Sequence, residues 1–198
     1  MTVIMGHKTA NKMYLGADNK VCTTEDEFIR DDSKIVVVND NVAIAFAGYG
    51  GVQTIFENIV KNSKRDIYVE DVIQILKFIY WTLKLMKNKK ASKDTFAYGA
   101  RFIIAGKNKK NKYCMYIMSI LNGKIEQPSL VDDFMFPPYD ADAKLCYNSF
   151  KKNIRESDGN FIQNTVKDIA QMSKVVSPSG DIWICDMITG KSSLEHFE

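Results

Sequence analysis

The hydrophobic period of this chain switches back and forth between that of a strand and that of a helix, and the order of the switches excludes most folds. Before position 50 the apolar residues come in short strand-length runs: Val3 to Met5, Met13 to Gly16, Ile35 to Val38 and Val42 to Phe46. The polar stretch His7 to Lys12 separates the first pair and the turn-prone Asn39-Asp40-Asn41 the second, which reads as two β-hairpins. From Val52 the period becomes helical. Val52, Ile55, Phe56, Ile59 and Val60 recur at that spacing, and so do Val69, Val72, Ile73, Leu76, Ile79, Tyr80 and Leu83. Helices are expected over 50–62 and 69–87. Strands return at Phe102 to Gly106 and Tyr113 to Ser119, followed by helices over 142–154 and 161–173 and closing strands at Ile182 to Met187 and near Ser193 to His196. Blocks of strands alternating with pairs of helices imply antiparallel sheets with segregated helical layers, an α+β arrangement rather than a doubly wound one.

A chain of 198 residues fits one domain, expected to span 1–198, and its 45% hydrophobic and 26% charged residues are ordinary for a soluble globular protein. The net charge of +3 is too small to call for a nucleic-acid partner. Lysines cluster from Lys84 to Lys93 and from Lys107 to Lys112, which reads as a solvated helix end and a hairpin tip. Cys22, Cys114, Cys146 and Cys185 lie far apart, with no Cys-x-x-Cys and no adjacent histidine. That spacing matches neither a zinc site nor a disulfide framework, so reduced, buried thiols in a cytoplasmic protein are expected. No apolar stretch reaches the roughly 18 residues of a membrane helix, and the first residues do not read as a secretory signal.

The chemistry concentrates near the start. Thr2 follows Met1, and Asp18, Lys34 and Gly48 come next in Leu15-Gly16-Ala17-Asp18, Asp32-Ser33-Lys34-Ile35 and Ala45-Phe46-Ala47-Gly48. Once Met1 is removed, Thr2 carries a hydroxyl nucleophile and a free α-amine on one Cα. A threonine hydroxyl needs a base as it attacks, and an α-amine with an ordinary pKa of about 7.7–8.0 is close to working pH. A lysine ammonium at Lys34 favours the neutral amine, Asp18 supplies the partner that a desolvated lysine needs, and the Gly48 N–H is a candidate donor to an oxyanion. Taken singly these residues are a tolerated terminus, two surface charges and a turn glycine. Their order and intervals carry the signal.

Those intervals, together with Tyr14 to Asp18, the Asp32-to-Val38 strand, the Ala45-to-Gly51 turn and the Phe102-to-Gly106 strand, resemble the proteasome β-type subunits and HslV-type peptidases among the N-terminal-nucleophile hydrolases. The resemblance is strong over the first 60 residues and weak after about 120. It implies a four-layer αββα sandwich and amide hydrolysis through an acyl-enzyme on Thr2, with Asp18, Lys34 and Gly48 in supporting roles and no cofactor or metal. It also implies a homo-oligomeric ring, peptide or unfolded-protein substrates, and an ATP-dependent unfoldase as a candidate partner. Val21, Asp32, Val36, Phe46 and Thr54 take the positions that line the pocket for the substrate side chain, with Phe46 as a floor favouring small side chains.

Two family features are absent. The Gly-Ser-Gly-like turn before the third helix is replaced by Phe134-Met135-Phe136-Pro137-Pro138-Tyr139-Asp140, where Tyr139 and Asp140 are the polar candidates. The aspartate three residues before a Ser-Gly-Gly is replaced by Val176 in Val176-Ser177-Pro178-Ser179-Gly180-Asp181, with Ser179 in the motif serine's place. The rival readings are a ring-forming subunit that does not cut and an acylase acting on a small amide. A histidine-based hydrolase has little to draw on, since His7 and His196 stand at opposite ends and read as exposed strand residues, leaving only a Cys22–His7 dyad to consider.

Overall fold

The computed structural model describes residues 2–22, 27–63, 65–86, 90–156 and 159–198. The elements run β1 (Ile4–Lys8), β2 (Lys12–Asp18), β3 (Lys20–Cys22), β4 (Phe28–Asp31), β5 (Ile35–Asn39), β6 (Val42–Gly48), α1 (Gly51–Lys61), α2 (Val69–Leu85) and α3 (Lys90–Tyr98). They continue as β7 (Ala100–Lys107), β8 (Tyr113–Leu121), β9 (Lys124–Ile125), β10 (Ser129–Val131), β11 (Asp133–Phe136), α4 (Ala143–Glu156), α5 (Phe161–Ala170), β12 (Gly180–Asp186) and β13 (Lys191–Phe197). One antiparallel sheet has the order β11-β1-β2-β12-β13. The other has β10-β8-β7-β6-β5, with β9 also on β8, and β3 pairs with β4 apart from both.

Period-2 alternation along the strands explains why four layers form. On β6, Val42, Ile44 and Phe46 point into a cluster with Val52 and Phe56 of α1 and Leu76 and Ile79 of α2, while Ala43, Ala45 and Ala47 point the other way. Those alanines meet Ile4, Met13, Leu15 and Trp183 in a second cluster between the sheets. A third cluster packs Val3 and Met5 of the opposite sheet against Phe150 of α4 and Ile162, Val166 and Ile169 of α5. The central strands thus bury two faces and each helix pair one. Phe56, Phe102, Phe150 and Trp183 are fully buried, each contributing on the order of 2–3 kcal/mol from the area removed from water. The result is an α+β sandwich of the αββα kind.

Gly16 shows how closely a helix layer sits on its sheet. A Cβ at this position of β2 would collide with the side chain of Ile162 on α5. The sheet presents bare backbone where the helix presents a branched side chain.

Several elements depart from the sequence expectation. The β1–β2 hairpin runs through His7 and Lys8, and its turn is confined to Thr9 to Asn11, where the Thr9 hydroxyl accepts from the Asn11 and Lys12 amides. A third helix, α3, follows α2 in what was expected to be a solvated lysine-rich end, while positions 87–89 of that stretch lie outside the described residues. Its inward residues include Ser92 and Thr95, both fully buried, with Ser92 Oγ donating to the Leu83 carbonyl at 2.6 Å. A helix that buries hydroxyls has no apolar period to read. Phe134 to Phe136 form β11 on the edge of β1 rather than a turn. His7 is half-buried rather than exposed, with Nδ1 on Asp133, whose other oxygen accepts from Lys151 at 2.9 Å. Burial works against the Asp133 charge, but His7 and Lys151 outweigh it and hold the carboxyl below its ordinary range.

Candidate active site

The hairpins bring Thr2, Asp18 and Lys34 together at one end of the sandwich. Asp18 closes β2, and its N–H donates to the Val3 carbonyl at 3.4 Å while Val3 N–H donates to Asp18 Oδ1 at 3.0 Å. That reciprocal pair fixes the residue beside the nucleophile candidate against the acid. The Thr2 hydroxyl donates to Asp18 Oδ1 and accepts from Lys34 Nζ. Lys34, one residue before β5, also donates to Asp18 Oδ2 at 3.0 Å and to the Lys20 carbonyl at 2.6 Å. All three ammonium donors are therefore engaged.

All three side chains are buried, Asp18 completely. Burial pushes the Lys34 ammonium below the ordinary lysine value of 10.5, and it prevails over Asp18, which pulls the other way. The Asp18 carboxylate also accepts the Lys20 N–H at 3.0 Å and the Ser177 N–H at 3.5 Å. A buried carboxylate with this many donors meets the condition under which burial of charge is tolerated.

Gly48 stands where β6 leaves the sheet. Along β6, the Asn41 carbonyl and the Tyr49 N–H bond to the β7 side, and the Phe46 N–H bonds to the Lys34 carbonyl on the β5 side. Two residues on from Phe46, the Gly48 N–H faces that second side at a level where β5 has not yet begun. Its φ of +101° belongs to glycine, and a Cβ would lie 2.5 Å from the Gly99 carbonyl oxygen.

Thr2, Lys34 and Gly48 open on one cavity of about 700 Å³. Val21, Asp32, Phe46 and Thr54 line it. Val36 is not part of its wall; it packs half-buried against the cluster beneath α1 and α2. The ring of Phe46 is held edge-on by Phe102 and against Phe56, at centroid distances of 5.6 and 5.4 Å. The wall also includes Cys22 and Tyr139, and with them Lys20, Tyr49, Glu57 and Tyr98, which no motif singled out. Burial and the Asp94 carboxylate of α3 push the Tyr49 hydroxyl above its ordinary value. Cys22 faces this cavity while His7 turns to Asp133, so the two do not form a dyad.

The sequence profile described as Proteasome subunit matches residues 2–129. The chain belongs to the proteasome subunit family. A comparison with curated proteins finds no match. Membership suggests an N-terminal-nucleophile peptidase or a proteasome-like subunit. No helix among its described residues is long and apolar enough to cross a membrane.

The matched region ends before the two stretches that depart from the family pattern, and the structure gives both a place. Tyr139 lines the cavity. Asp140 instead reaches residues 173 and 174, with Oδ1 accepting from Ser173 Oγ at 2.7 Å and Oδ2 from Lys174 N–H at 2.8 Å. Ser177 donates from Oγ to the Ser179 carbonyl at 2.9 Å, and that carbonyl also accepts from Asn19 N–H at 3.3 Å. The Ser177 amide, rather than the Ser179 hydroxyl, is the group of this segment that meets Asp18.

Proposed function

We propose that this chain, freed of Met1, is a threonine-type peptidase working through an acyl-enzyme on Thr2. The observation that carries the reading is the position of the Thr2 hydroxyl between Asp18 and Lys34, beside a cavity large enough for a peptide segment. In the proposed reaction Thr2 Oγ1 attacks the scissile carbonyl and its proton passes to the α-amine. The Lys34 ammonium steadies the charge developing on Oγ1 and keeps the neighbouring amine neutral, while Asp18 holds Lys34 in place. The Gly48 N–H donates to the oxyanion, worth on the order of 3–4 kcal/mol for one such donor. Collapse of the tetrahedral intermediate expels the amine product, which takes up the proton. Water then enters, the α-amine accepts its proton, and the acid product leaves Thr2 regenerated.

Family membership supports a homo-oligomeric ring with the cavities turned inward, a reading in which the substrate is extended or unfolded polypeptide in a cytoplasmic setting. Folded substrates then require an ATP-driven unfoldase at the ring's entrance. A second reading, a ring-forming subunit that does not cut, is favoured by Val176 at the position of the family's aspartate.

Intact-protein mass before and after treatment with a peptide epoxyketone decides between them. The peptidase reading expects a species lacking Met1 that gains one inhibitor mass, with Thr2→Ala inert. A Met1-free protein that stays unmodified and hydrolyses no peptide favours the ring-subunit reading.

A further inference from the structure

Asp18 Oδ2 accepts from three groups, and they come from different parts of the chain. Lys34 Nζ and Lys20 N–H belong to the opening hairpins, each at 3.0 Å, whereas Ser177 N–H arrives at 3.5 Å from the irregular segment between α5 and β12. On its far side Ser177 is held by the Ser179 carbonyl, which takes the Ser177 hydroxyl and the Asn19 N–H, and by the β2–β12 ladder that starts at Gly180; the stretch before it has no ladder and needs another anchor.

That anchor is visible. Both oxygens of Asp140 are spent on this one segment, Oδ1 on Ser173 Oγ at 2.7 Å and Oδ2 on Lys174 N–H at 2.8 Å. Ser173 Oγ in turn accepts from Val175 N–H at 3.2 Å, which sets the turn leading to Ser177. The Lys174 carbonyl accepts from Lys20 Nζ, so the residue whose amide binds Asp18 also grips the segment with its side chain. Ser173, Val175 and Val176 are buried. Asp140 itself lies at the surface and makes no recorded hydrogen bond to Thr2, Asp18 or Lys34. The stretches 134–140 and 176–181, which lack the family's serine and aspartate, belong to the two parts of the chain that Asp140 ties together.

We propose that Asp140 is a positioning residue for the Asp18–Lys34 pair, acting by clamping residues 173–174 so that the Ser177 amide stays on Asp18. The proposal rests on the peptidase reading only for its effect on rate; its effect on Lys34 stands without it. Releasing the clamp lets the 173–177 segment drift, removes one donor from Asp18 and admits water beside Lys34. Both changes favour the ammonium, because burial is what holds its pKa down and a less satisfied carboxylate attracts it more strongly.

The test compares wild type, Asp140→Ala, Asp140→Asn and Ser173→Ala, all checked for folding. Hydrogen exchange reads the 173–177 amides, NMR of ¹³C-labelled lysine reads the Lys34 titration (assigned with Lys34→Met), and peptide hydrolysis reads kcat and KM against pH. In Asp140→Ala and Ser173→Ala the segment should exchange faster and Lys34 should titrate higher by about half a pH unit or more. The rate should fall about tenfold in kcat, because Asp18 and Lys34 are held less firmly beside Thr2, with KM within about twofold, and the falling limb of the pH profile, where Lys34 loses its proton, should move to higher pH. Asp140→Asn, which keeps one acceptor oxygen, should lie between. Faster exchange with an unmoved Lys34 titration overturns the proposal and leaves Asp140 a loop anchor; unchanged exchange overturns it outright. A wild type without turnover, in which Asp140→Ala still shifts Lys34, removes the peptidase reading and keeps the positioning role.

Discussion

Lys34 Nζ donates to Asp18 Oδ2 across 3.0 Å, with the carboxylate wholly shielded from solvent and the lysine only 8% exposed. Few arrangements in a domain of this size are as demanding, because each charge is tolerable only while the other is present.

The first prediction concerns that dependence. Asp18→Asn keeps the shape of the side chain but strands the Lys34 ammonium, and it should cost on the order of 3–5 kcal/mol of stability in urea denaturation. Lys34→Met should be destabilising for the mirror reason. The double variant should recover a large part of the summed loss, since no buried charge is then left without a partner. Strictly additive losses would show that the two residues do not act as a pair.

The stability contributed by Lys34 should also vary with pH in a definite direction. Its folded pKa lies below the unfolded value of 10.5, so in the intervening range the unfolded chain binds more protons than the native one. The destabilisation from burying the ammonium is then complete below the folded pKa and is recovered as pH rises through it towards 10.5. Unfolding free energies of wild type and Lys34→Met, compared from pH 7 to 10, should diverge in favour of wild type as pH rises. A constant or opposite difference would mean that the lysine is not held in a depressed state.

Gly48→Ala tests the oxyanion donor. Alanine at a φ of +101°, with a Cβ 2.5 Å from the Gly99 carbonyl oxygen and 3.1 Å from Ala100 Cα, forces the end of β6 to move. The expected cost is about 1–3 kcal/mol, with a drop in kcat of about 10²-fold or more, because the proposed oxyanion donor is displaced. Full activity in a variant whose melting temperature has fallen would dissociate this amide from the chemistry.

Gly16→Ala probes the layer contact instead of the site. The added methyl meets Ile162 and should cost about 1–3 kcal/mol by overpacking. In an Ile162→Ala background the same change should be nearly silent. An equal penalty in both backgrounds would place the strain in the strand itself.

Much of this architecture was legible because alternation is a short-range property. The runs Val42 to Phe46 and Phe102 to Gly106 read as strands, and each buries both faces, one towards the helices and one towards the other sheet. Helix α3 was not legible, since it buries Ser92 and Thr95 and its stability comes from where it is packed. The family resemblance placed Val36 in the pocket wall, whereas its side chain is half-buried against the cluster beneath α1 and α2.

The sequence by itself determined the strand and helix order, the α+β class, and the set Thr2, Asp18, Lys34 and Gly48, because periodicity and residue chemistry are written locally. Only the tertiary structure decided that Asp18 is fully buried, that burial rather than its partner sets the direction of the Lys34 pKa, and that Asp140 holds a segment more than 30 residues away. Desolvation and long-range hydrogen bonds are set by which surfaces meet, and chain distance does not encode that.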